Sequence, residues 1–161
     1  MGRVIRTGPL PVVQAALGGL DGLQGKVGWN ESAKYPDGTP VAYVASIHEF
    51  GAASQGIPAR PFMRPAIAKN QKSWAAAFGK GAAAVLKGNF TPREVMERVC
   101  MDAVGAVKSS IASVQSPALE QSTVDARRRA MADGKTIGNL TKPLVASGLM
   151  VNSVDYEVTT K

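Results

Sequence analysis

The only histidine of the chain, His48, stands beside a carboxylate in Ile47-His48-Glu49-Phe50-Gly51, seven residues before the segment Pro58-Ala59-Arg60-Pro61-Phe62-Met63-Arg64-Pro65. Such a pair suits acid–base catalysis, metal ligation, or a charged brace for the rigid, basic, proline-punctuated segment that follows. Adjacent residues on a helix point about 100° apart, so His48 and Glu49 cannot readily touch each other, and catalysis by them would need distant help. Cys100, the single cysteine, lies on the apolar arc of its expected helix and suits a buried structural thiol better than a nucleophile. One histidine and one cysteine fall short of the three or four ligands zinc takes, unless a site is shared between subunits. The residues therefore predict no catalytic, cofactor-binding or metal site. His48 reads instead as a hydrogen-bonded residue at a helix end, holding the loop after it.

The remaining chemistry is electrostatic. The formal charge is +7, and residues 1–90 carry ten Lys and Arg against four Asp and Glu. Between Glu49 and Glu94 there is no acidic residue, while Arg60, Arg64, Lys69, Lys72, Lys80, Lys87 and Arg93 accumulate. A basic surface attracts nucleic acid or an acidic protein face, and charge alone does not choose between them. Lys69, Lys72, Lys80 and Lys87 share one face of an expected helix and could grip DNA phosphates. The plainer reading is the solvated side of an amphipathic helix. Arg127-Arg128-Arg129 has the same two readings, contact with acidic groups on a partner or an ordinary surface helix. Neither patch interleaves aromatic residues for base stacking. Gly18-Gly19 lacks the lysine-bearing pattern of a phosphate loop.

These residues must be positioned by a rather thin core, since 45% of the chain is hydrophobic but only 6% is aromatic. The 161 residues fit one domain. One cysteine excludes an intramolecular disulfide framework, no apolar run is long enough for a membrane span, and Met1-Gly2-Arg3-Val4 lacks a signal-peptide core. A soluble, unprocessed chain is expected. Val13, Ala16, Leu17 and Leu20 recur with helical spacing over residues 10–23, and Lys26-Val27-Gly28-Trp29 alternates as a strand. Residues 30–40, with Tyr35-Pro36-Asp37-Gly38, form a loop. Residues 41–50 fit a strand by β-branched content or a helix by the spacing of Val41, Val44, Ala45 and His48. The helix, ended by Gly51, is favoured, and 51–61 follow as loop. Ile67, Trp74, Phe78 and Val85 define the apolar arc of a long helix over 62–87.

Thr91, Pro92 and Glu94 carry the N-cap, first-position proline and capping-box signals of a second long helix. That helix places Val95, Met96, Val99, Ala103, Val107, Ile111 and Val114 on one side and ends before Ser116-Pro117. The two long helices make an antiparallel hairpin. A short helix is expected over 122–133, stopped by Gly134, then a mobile polar loop over 134–143, a short turn capped by Ser147, and a closing strand Val154-Asp155-Tyr156-Glu157-Val158. The strands at the two ends are each too short to bury an apolar side alone. They are expected to pair in one small antiparallel sheet laid over Trp74 and Phe78. The fold class is α+β.

The order of these elements, with Val41–Gly51, Ile57–Pro65 and the C-terminal Lys142-Pro143-Leu144-Val145-Ala146-Ser147-Gly148-Leu149-Met150-Val151-Asn152-Ser153-Val154, resembles the minor neck and tail-completion proteins of tailed bacteriophages. Ser147 stands where that family often has threonine, keeping the hydroxyl. The resemblance covers residues 25–158 and implies a non-enzymatic virion protein, made in the host cytoplasm and built into a ring in the neck between capsid and tail. It implies a homo-oligomer, a hexamer by analogy with tail symmetry or a dodecamer matching the portal. The implied partners are the head–tail connector, the tail terminator or tube proteins and passing genomic DNA, with no membrane. His48, Glu49, Phe50, Arg60, Pro61, Phe62, Arg64, Pro65, Ser147 and Gly148 become structural or subunit-interface residues, and 30–40, 51–61 and 134–143 interaction loops. In that reading Pro61 and Pro65 fix chain direction, Phe62 anchors, Arg60 and Arg64 pair with carboxylates nearby or on the next subunit, and Phe50 packs beneath the loop. The alternative function is a DNA-binding module using the lysine face.

Overall fold

Thr91 opens the second helix of the hairpin. Its hydroxyl accepts the Glu94 N–H while the Glu94 carboxylate accepts the Thr91 N–H, and Pro92 occupies the first helical position, so the capping box predicted from these residues is formed. In the computed structural model, which describes residues 10–160, this box opens α4 (Pro92–Ser113) directly after α3 (Met63–Leu86). The helices pack as an antiparallel hairpin, with close approach where Gly81 faces Val95: a Cβ at Gly81 would overlap the valine Cγ1. Before them come α1 (Leu10–Asp21), β1 (Leu23–Trp29) and α2 (Val41–Phe50); after them α5 (Gln121–Ala132), the short α6 (Leu149–Asn152) and β2 (Val154–Thr160). The reading of Met1–Val4, and those of the Ala16 and Leu17 side chains, lie outside the described residues.

The strands from the two ends do pair, antiparallel, from Leu23 opposite Thr160 to Trp29 opposite Val154. The protein is α+β, with a two-stranded sheet against long helices. Its placement differs from expectation, because the sheet packs on α4 rather than over Trp74 and Phe78 of α3. Gly25 is the reason it comes so close: a Cβ there would overlap Cys100 Sγ and press on Met96. Val154 and Val158 are buried on this face.

Among the described residues, two clusters form the core. The larger joins Val41, Ala45, Phe62, Val107, Ile111, Leu144, Met150 and Val154, with Val27 and Trp29 packed against it. The smaller joins Leu20 of α1 to Val85 and Val95 of the hairpin, with Phe78, Ala82 and Phe90 beside them. Ile67, placed on the apolar arc by its spacing, is 44% exposed. At that level of α3 the buried residue is Ala66, because α3 is covered there from one side only. Among the described residues, no helix is long and apolar enough to cross a membrane.

Candidate functional site

The loop singled out by His48 and the arginines is built around Glu49. α2 ends at Gly51, whose φ of 78° turns the chain away from the helix. Ala52 and Ile57 then exchange two backbone hydrogen bonds, and the Arg60 N–H donates to the His48 carbonyl at 2.7 Å. This return path delivers residues 62–65 onto the Glu49 side chain. Its carboxylate accepts the N–H groups of Phe62 at 2.7 Å, Met63 at 2.8 Å and Arg64 at 3.2 Å, and the Arg64 Nε at 2.8 Å. The next helical residue is Pro65, which has no N–H to satisfy, and the Ala66 N–H already reaches the Phe62 carbonyl. Every donor that the start of α3 leaves over is therefore met by one carboxylate from the preceding helix.

That carboxylate is buried. Burial pushes its pKa up, but the Arg64 guanidinium and the three backbone N–H groups outweigh burial and hold it below the ordinary value. Arg64 also donates Nη2 to the Glu49 carbonyl at 2.8 Å and lies over the Phe50 ring at 5.2 Å. Phe50 does not pack beneath the loop; it is 69% exposed, and its contact is this cation on its face. Phe62 is the apolar anchor expected of it: 1% exposed, edge-on to Trp29 at 5.9 Å, with its carbonyl accepting from Ser110 Oγ.

His48 and Arg60 depart from expectation. His48 takes part through its backbone carbonyl, while its Nδ1 is buried without a hydrogen-bond partner. Burial, then the charges of Arg60 and Arg127, push the imidazole pKa below its ordinary value. Arg60 is buried and, among the described residues, pairs with no carboxylate; Nε and Nη2 donate to the carbonyls of Pro117 and Ala118, tying the loop to the chain beyond α4. Arg127 does the same for 134–143, which was expected to be mobile: Nη1 donates to the carbonyls of Asn139 at 2.9 Å and Lys142 at 2.8 Å, and Gly138 bonds Ala146. Arg128 and Arg129 are held on their own helix by Asp125. Ser147 Oγ accepts the Leu149 N–H at 3.3 Å, while Gly148, at φ 72°, is the residue that caps α6.

Comparison with family models, curated proteins and solved structures found no match for the chain.

Burial also raises the Cys100 pKa, so the thiolate needed for nucleophilic chemistry is disfavoured. Among the described residues, no three His, Cys, Asp or Glu side chains converge as metal ligands would. The lysines are a different matter. Lys69, Lys72, Lys80 and Lys87 are all exposed, and among the described residues none of them is in an ion pair. The surface that sequence reasoning passed over is the outer face of the sheet. There Lys26 lies opposite Glu157 and Gly28 opposite Asp155. The alternation around Val154 and Val158 carried that signal, since Asp155 and Glu157, one residue out of step with the buried valines, must point outward.

Proposed function

We propose that this chain is a structural subunit of a tailed-bacteriophage neck, forming the ring that joins the portal connector to the tail. The observation that carries the reading is the use of Glu49. The one carboxylate beside the one histidine is fully committed to capping α3 and holding Arg64, so in the segment with the sharpest sequence signature that carboxylate performs architecture. The same segment carries the likeness to neck and tail-completion proteins. A rigid post between α2 and a 24-residue helix, a thin core and exposed loops suit a part whose stability is completed by neighbours. Native mass spectrometry and negative-stain microscopy of the purified protein, alone and with tail tubes, test it. Rings that incorporate at the head–tail junction are expected, six-membered before twelve-membered; a monomer that joins no phage particle overturns the proposal.

A second reading draws on the exposed, unpaired lysines of α3: binding of DNA phosphates. Affinity would then fall steeply with salt, because each neutralised phosphate releases counterions. Lys69→Glu with Lys72→Glu leaving DNA affinity unchanged removes it.

A further inference from the structure

The two-stranded sheet lays one face on α4 and leaves the other bare. On the bare face Asp155 and Glu157 of β2 oppose Gly28 and Lys26 of β1, and Glu31 follows at the strand end, around a concavity of about 560 Å³. Gly28 is what makes it hollow, since a Cβ built there meets nothing within 4 Å. Glu31, Asp155 and Glu157 are exposed, and among the described residues none is in an ion pair; the only cation in the hollow is Lys26. Three acids against one base is the reverse of the whole chain, which carries 19 Lys and Arg against 12 Asp and Glu.

α3 packs on a different side of α4, through residues such as Val95, whereas the sheet rests on Met96 and Cys100. No acidic residue occurs in α3. Its outward face carries Lys69, Lys72 and Lys80 over about 16 Å of helix. Two unpaired surfaces of opposite sign thus lie on different sides of one central helix. A contact between them in separate copies is heterologous: each copy offers one surface forward and the other backward, and the series closes into a ring or continues as a filament.

We propose that the protein self-associates head to tail, the Lys69–Lys72–Lys80 face of one copy seated on the acidic hollow around Gly28 of the next. A lysine entering the hollow passes over Gly28, where no side chain stands, and brings its ammonium to Asp155 and Glu157. A second copy fits better than duplex DNA, which would engage the lysines and leave the hollow without a counter-charge. The contact deepens the ring-building role proposed above and rests on it for biological setting.

Sedimentation velocity of the full chain tests the contact. Wild type is expected to associate, less so at high salt, because exposed charges are screened beyond about a Debye length. Gly28→Leu fills the hollow where space is open and should keep the melting temperature while weakening association about tenfold or more. Lys69→Glu/Lys72→Glu and Asp155→Lys/Glu157→Lys should each stay folded and monomeric. Mixing these two variants should restore association, since both their altered and their unaltered faces are complementary. A monomeric wild type overturns the proposal, as does association unchanged by Gly28→Leu and both reversals, or a mixture that stays monomeric. Particle incorporation separates this from the neck assignment. Protein that associates through these faces yet enters no phage particle keeps the contact and removes the neck; Gly28→Leu protein that associates and enters particles like wild type does the opposite.

Discussion

Glu49 and His48 are neighbours in sequence with opposite electrostatic situations, and pH separates them. Glu49 has a folded pKa below the ordinary 4.5, so the unfolded chain binds that proton first as pH falls. Its contribution is full above 4.5 and is lost as pH drops through the folded value. His48 is also shifted down, from 6.5, but here it is the neutral form that the fold prefers. Its contribution is full above 6.5 and declines as pH falls from there towards the folded value. Melting temperature against pH should therefore show two losses on acidification. His48→Gln is expected to remove the upper one and Glu49→Gln the lower one. Glu49→Ala leaves the Phe62 and Met63 N–H groups without acceptors and should cost about 3 kcal/mol at pH 7. A pH profile identical in wild type and Glu49→Gln would show that the carboxylate is not ionised in its cap.

At the scale of elements, close packing rests on two glycines and a capping box. Gly81→Val drives a branched side chain into Val95 at the centre of the hairpin, and overpacking of this kind costs about 1–3 kcal/mol. Thr91→Ala removes the box and should cost about 1 kcal/mol. Denaturant midpoints measure both, and a Gly81→Val protein as stable as wild type would contradict the observed approach of α3 to α4. The Thr91 box and the end-to-end pairing of β1 with β2 were legible in the sequence because caps and period-two alternation are local signals. Which helix the sheet covers was not. The arc containing Trp74 and Phe78 states that this face is apolar and says nothing of which neighbour fills it. What decides is Gly25, whose missing side chain admits Cys100, and that fit exists only once both elements are placed. Ile67 and Phe50 fail similarly, since spacing marks a face while burial needs something to lie over it. Arg60 differs for another reason: its type suggests a carboxylate, whereas the groups that hold it within its own chain are backbone carbonyls, which leave no trace in side-chain sequence.

For the molecule as a whole, the chain is closed by its last strand, and the two C-terminal segments should differ sharply in what their loss does. Deleting residues 153–161 removes β2, among the described residues the sole strand paired with β1, and takes Val154 and Val158 out of the core. Lost apolar burial and unpaired β1 backbone together amount to several kcal/mol, against a total stability of about 5–15 kcal/mol for a domain. The truncated protein is expected to aggregate and to enter no particle. Shortening the loop between Gly134 and Thr141 changes closure entropy by less than about 1 kcal/mol, but the structure adds a term, because Arg127 holds the carbonyls of Asn139 and Lys142. A shortened loop that strands this half-buried guanidinium should lose about 1–3 kcal/mol and still fold. Arg127→Ala with the loop intact should reproduce most of that loss. Melting temperature and particle incorporation of the three variants distinguish the roles. A truncation that melts like wild type would mean that β2 is dispensable to the core, whereas a loop deletion as damaging as the truncation would mean that Arg127 organises more than its own loop.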